Sequence, residues 1–107
     1  MYLVRPIPEM GVDVPNAMSR RISFGSTGEV SISMDDYLRR NGWIVAAQDE
    51  ARATCGVKIL DPLPYLCHDG RCYGNKDGRA LYFDDDHLSE FGNKLLKPMF
   101  AEVFKAL

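Results

Sequence analysis

With 107 residues, of which 46% are hydrophobic and 26% charged, the chain has the size and apolar content of one small globular domain and is too short for two. Its 13 basic and 15 acidic residues give a formal charge of -2, and basic side chains cluster only at Arg20-Arg21 and Arg39-Arg40, so there is no basic field to attract a nucleic acid. The longest uncharged apolar run, Gly42 to Ala47, is far short of the roughly 20 residues of a membrane-spanning helix, and residues 1 to 20 lack the charged-then-apolar design of an export signal; a soluble chain without a signal peptide is expected.

Taken in chain order, Tyr2 to Ile7 is mostly apolar and predicts a buried strand ending near Pro6. Pro8 to Gly28 carries little periodicity and reads as a long surface connection, with a short helix near Asn16 to Arg21. Ser33 followed three residues later by Asp36 has the form of a helix cap, and Tyr37, Leu38, Ile44, Val45 and Ala51 form an imperfect apolar stripe that Asn41-Gly42 is expected to bend or interrupt. Gly56 suits the end of that helix, and Val57 to Leu60 is a short strand closed by Asp61-Pro62. A helix leading through a glycine into a strand is the building unit of parallel α/β sheets.

Residues 63 to 80 are rich in Gly, Pro and Asp, with a turn expected at Asp77-Gly78, before the apolar segment Ala80 to Phe83. Cys67 and Cys72 bracket a four-residue loop that either closes as a local disulfide, implying an oxidising compartment, or begins a zinc site for which only His68 is nearby. Cys55 has no evident partner and is expected to be a small buried side chain. Ser89 has the character of a cap for the last helix, whose apolar face repeats at Phe91, Leu95, Met99, Val103 and Leu107, widened by Leu96, Phe100 and Phe104 and kinked at Pro98.

The stretch with chemical potential is Asp84-Asp85-Asp86-His87-Leu88-Ser89. In a turn entering a helix, residues three apart share a side, so the Asp84 carboxylate can orient the His87 imidazole and leave its other nitrogen free to take a proton from a hydroxyl. Asp85 and Asp86 are expected to point elsewhere, either into solvent or helping to hold the turn. Two other interpretations compete: a plain acidic turn attracted to the positive end of the helix, and a divalent-cation site, which three adjacent carboxylates cannot all serve.

These residues carry a family resemblance. Asp84-x-x-His87 with Leu88, Ser89 and Gly92 resembles the last motif of the SGNH (GDSL-like) serine hydrolases. Pro6-x-Pro8-Glu9, Asp61-Pro62, Leu66-Cys67, Cys72 and Leu81-Tyr82 extend the likeness to the SGNH domain fused to membrane acyltransferase-3 proteins, which O-acylate bacterial surface polysaccharides. The resemblance implies a three-layer αβα, flavodoxin-like parallel sheet, here its C-terminal portion forming one domain over residues 1 to 107. It implies His87 as general base, Asp84 as its orienting acid, an acyl-ester or polysaccharide substrate, and no cofactor or metal. It also implies a membrane-attached parent protein with this domain on the periplasmic side. The family's Gly-Asp-Ser nucleophile block does not occur in the sequence, nor do its two oxyanion blocks; Phe24-Gly25-Ser26-Thr27 lacks the aspartate and reads as a glycine-rich turn. Little activity is therefore expected of this chain alone, and pairing is expected with a second copy or a complementary N-terminal half. The competing function is a non-catalytic carbohydrate- or protein-binding module, with Trp43, Tyr65 and Tyr73 available to stack on sugar rings.

Overall fold

The computed structural model describes residues 1 to 105. Tyr2–Val4 forms β1, and the chain then runs through Pro6 and Pro8 into helix α1, Val14–Ser23. Its N-cap Asp13 accepts from Asn16 N at 3.2 Å, with Pro15 in the first turn where its missing N–H costs nothing. This helix is longer than the sequence pattern indicated. Ile22 and Phe24, apolar but exposed, blur its periodicity.

After β2, Ser31–Ser33, the Ser33 hydroxyl accepts from Asp36 N at 3.0 Å and opens α2, Met34–Cys55. This helix passes through Asn41-Gly42 without a break, with the Asn41 side-chain amide donating to the Tyr37 carbonyl at 3.3 Å. It ends at Gly56, where φ is 70°. Only Tyr37 of its 22 residues is fully buried, so most of α2 lies in solvent. Cys55, expected inside, is exposed at the end of that solvated helix.

β3, Lys58–Leu60, pairs with β1 in parallel, Leu3 opposite Ile59. Arg5 ties this pair to α2 through the Val45 carbonyl at 3.0 Å and the Asp49 carboxylate at 2.6 Å, while Gln48 donates to Val4 O at 2.9 Å. The one-turn helix α3, Leu63–Leu66, follows. Strands β4, Cys67–His68, and β5, Arg71–Tyr73, then join β2 in the antiparallel order β2-β5-β4. β6, Asn75–Lys76, and β7, Arg79–Ala80, form a second hairpin, turning at Asp77 and Gly78 with φ of 53° and 76°.

The broad parallel sheet expected from the resemblance is thus reduced, among the described residues, to one parallel pair; the remaining sheets are small and antiparallel. Two turns account for part of this: Asp69-Gly70 and Asp77-Gly78 reverse the chain at once and pair β4 with β5 and β6 with β7 antiparallel, where parallel neighbours would need a crossover of a dozen or more residues.

The C-terminal face is built from α4, Glu90–Leu95, and α5, Lys97–Lys105, separated at Leu96 so that Pro98 falls in the first turn of a new helix. Leu96 and Met99 are buried and Phe91, Leu95 and Val103 are packed against the core, but Phe100 and Phe104 are exposed; Leu107 lies outside the described residues. The core joins these to Met10, Val14, Val30, Leu60, Leu66, Leu81 and Tyr82. The whole is elongated, 50 × 30 × 22 Å.

Gly92 controls how closely α4 approaches. A Cβ there would lie 2.1 Å from the Leu81 carbonyl oxygen, which already accepts from Ser89 N at 2.8 Å. Backbone cannot yield as a side-chain tip can, so Gly92→Ala should destabilise the domain by roughly 2–3 kcal/mol in urea unfolding. An unchanged midpoint would show that α4 is not held against Leu81.

Candidate functional site

The acidic loop is fixed before its side chains act. Phe83 N donates to His87 O at 2.8 Å, and Tyr82 and Leu88 form an isolated antiparallel bridge, so residues 83 to 88 make a closed turn. Its outer carbonyls are also engaged: Asp85 O accepts from Met10 N at 2.8 Å and Asp84 O from Val14 N at 3.2 Å. Ser89 anchors the other side, donating to Ala80 O at 2.8 Å while capping Gly92 N at 3.1 Å. The loop is thereby held from the start of α1, from β7 and from α4.

Within it, the Asp84 carboxylate has two tasks. Oδ1 accepts from the backbone N–H groups of Asp86 at 3.0 Å and His87 at 2.7 Å, and Oδ2 lies 2.9 Å from His87 Nδ1. The two backbone donors, followed by the imidazole, pull the Asp84 pKa down to about 2. His87 moves upward from 6.5, first through its hydrogen bond with Asp84 and then through the charges of Asp84 and Asp86. The ring is 70% exposed at its side chain and meets Phe83 edge-on at 6.2 Å between centroids. Its Nε2 makes no hydrogen bond among the described residues.

Asp86 does not point away. Its Oδ1 lies 2.9 Å from the same Nδ1, so two carboxylates face one nitrogen. Only Asp84 is aligned for the hydrogen bond; Asp86 acts through charge, and its own pKa is raised by partial desolvation and then by Asp85. The local Asp-x-x-His spacing identified the first partner and concealed the second, because adjacent residues are normally assigned to opposite sides. The donor atoms of Asp84, Asp86 and His87 lie within 4.8 Å of one another. While Nδ1 donates to Asp84, however, that nitrogen has no lone pair for a cation.

The family described as SGNH domain (fused to AT3 domains) matches residues 1–102. The chain belongs to that family. No curated protein and no solved structure matches the chain.

The other predicted groups of this SGNH domain are placed as follows. Ser26 donates to Arg21 O at 2.9 Å and accepts from Gly28 N at 3.3 Å, closing the turn after α1, with no hydrogen bond to His87. Cys67 and Cys72 are bonded to each other, which removes both sulfurs as zinc ligands. Trp43 is 74% exposed on α2, whereas Tyr65 and Tyr73 line one cavity together with His68, a residue the sequence offered only as a possible zinc ligand.

The dyad sets a pH signature. With its pKa raised, protonated His87 contributes stability that is complete below about 6.5 and lost as pH rises through the folded-state value; Asp84 contributes stability present above about 3.8 and lost as pH falls through about 2. NMR titration of His87 should give a midpoint above 6.5 that falls on Asp84→Asn, falls less on Asp86→Asn, and falls furthest in the double variant. Equal midpoints in all four proteins would remove both carboxylates from the site.

Proposed function

We propose that this SGNH domain supplies the acid–base half of an acyl-transfer site acting on acyl esters, chiefly acetyl, of surface polysaccharide. The carrying observation is the Asp84–His87 contact at 2.9 Å beside an Nε2 that is unbonded and open to solvent. Ionised Asp84 accepts from Nδ1–H, fixes the tautomer and stabilises the imidazolium that forms on proton uptake. A serine hydroxyl then gives its proton to Nε2 as its oxygen attacks the ester carbonyl. The leaving alcohol takes that proton back, and water or a sugar hydroxyl releases the acyl group by the same path in reverse.

No Gly-Asp-Ser block occurs in these 107 residues. In this proposal the serine and the oxyanion donors come from a partner: a second polypeptide segment carrying the nucleophile block, docked on the open edges of the β1–β3 pair. Among the described residues each of these strands pairs only with the other, and a two-stranded parallel pair covered by one helix is rarely a complete sheet. The Cys67–Cys72 bond and the family's fusion to AT3 domains support a periplasmic setting. No helix among the described residues is long and apolar enough to cross a membrane.

On p-nitrophenyl acetate, the chain alone should show no saturable turnover above imidazole and thiol background. Mixed with an SGNH segment bearing the nucleophile block, it should gain turnover that falls by roughly 10²- to 10⁴-fold on His87→Ala. That turnover should rise with pH through the elevated His87 pKa, since only neutral imidazole accepts a proton. Activity of the chain alone that disappears on Ser26→Ala, or complemented activity indifferent to His87→Ala, would refute the assignment.

A further inference from the structure

Away from the acidic loop, a cavity of about 430 Å³ lies between α3, the β4–β5 hairpin and the β6 strand. That volume lies within the range of small-molecule sites, roughly 300–1,000 Å³. Its walls are rings. Tyr65 on α3 is 40% exposed, and His68 and Tyr73 stack face to face at 4.5 Å with planes 22° apart. The disulfide holds this stack, because Cys67 and Cys72 are directly opposed in the strands that carry the two rings. Leu66 and Leu81, both buried, form an apolar floor.

The rim has the opposite character. Glu29 and Lys76 are exposed, and among the described residues neither forms an ion pair. Glu29 is held in place by its neighbours: Asn75 accepts from Val30 N at 3.1 Å and donates to Gly28 O at 3.0 Å, clamping the backbone on either side of it. A second hollow of about 210 Å³ shares Glu29, Tyr73, Asn75 and Lys76 with the first, so the two adjoin across these residues.

We infer that these adjoining hollows bind a neutral oligosaccharide segment, one ring in each hollow, with the pyranose C–H faces on Tyr65 and the His68–Tyr73 stack and hydroxyls on Glu29 and Lys76. Sugars present an apolar face edged by groups that both donate and accept, which is the pairing of ring walls with a free acceptor and a free donor found here. A proline-rich peptide also suits aromatic grooves, but proline has no backbone N–H, so such a ligand offers carbonyl acceptors to Lys76 and few donors to the Glu29 carboxylate. Two adjoining hollows favour a polymer over a single ring. The site is separate from the Asp84–His87 contact, so its occupancy does not depend on the acid–base assignment.

The experiment is a ¹⁵N-HSQC titration of the oxidised chain with neutral oligosaccharides of gluco, galacto, manno and rhamno configuration, alongside a proline-rich peptide. Saturable shifts at Tyr65, His68, Tyr73 and Lys76 with at least one oligosaccharide are expected. Affinity should weaken about tenfold or more on Tyr65→Ala and measurably on Lys76→Ala, both exposed positions whose spectra report an intact fold, and should be unchanged on His87→Ala. Failure of the whole panel, saturation by the peptide alone, or sugar binding indifferent to Tyr65→Ala and Lys76→Ala would each overturn the inference. Loss of binding on His87→Ala would move the sugar to the acidic loop and equally refute this site.

Discussion

Two buried tyrosine hydroxyls organise this domain by donating to a segment that has few donors of its own. Tyr37 donates to Pro6 O at 2.7 Å, and Tyr82 donates to Pro8 O. Prolines have no N–H, so Pro6-Ile7-Pro8 cannot extend the β1 ladder, yet its carbonyls lie inside and need partners. Removing either donor would strand a carbonyl at a cost of about 1–3 kcal/mol. Burial pushes the Tyr37 pKa up to about 12 and moves that of Tyr82 upward as well, so both hydroxyls keep their protons throughout the neutral range. Tyr37 belongs to α2 and Tyr82 immediately precedes the acidic loop. The proline segment is therefore the strap that joins the parallel pair to the candidate site, and Met10 N and Val14 N continue it onto Asp85 O and Asp84 O.

This strap explains why an exposed dyad can still be ordered. An ion pair between freely moving surface groups contributes little, because both side chains lose entropy in forming it. Here the carboxylate is held first, by two backbone N–H groups of its own loop, and that loop is held by three neighbouring elements. The imidazole then meets a fixed acceptor. Asp86 adds charge without alignment, which raises the proton affinity of His87 while leaving the choice of tautomer to Asp84.

Features closed within a few residues were legible in the sequence. The Ser33 and Ser89 caps, the Gly56 helix end, the turn at Asp77-Gly78 and the Asp84–His87 contact each depend on spacing of one to three positions, and the fold could change around them without moving them. The disulfide was one of two options left open, and the register opposing Cys67 to Cys72 decided it. Features that depend on distant partners were not legible. The stacking of His68 on Tyr73 needs the β4–β5 register, the burial of Leu60 needs β1, and the three-stranded antiparallel sheet needs β2 to meet β5 across α2, β3 and α3. Cys55 shows the reverse error: an apolar residue type was assigned to the interior, although α2 buries only one of its residues.

That solvated helix has a consequence for how the molecule moves. A globule of this length has a radius of gyration of about 13 Å, whereas this structure reaches 15.2 Å and is drawn out to 50 Å along one axis, and α2, with one buried residue in 22, adds little to its core. Friction grows with that extension, so a single copy diffuses and elutes like a heavier sphere. Its apparent size in a sieving column thus overstates its mass, and scattering or sedimentation, which weigh the particle, are the methods that distinguish one copy from two.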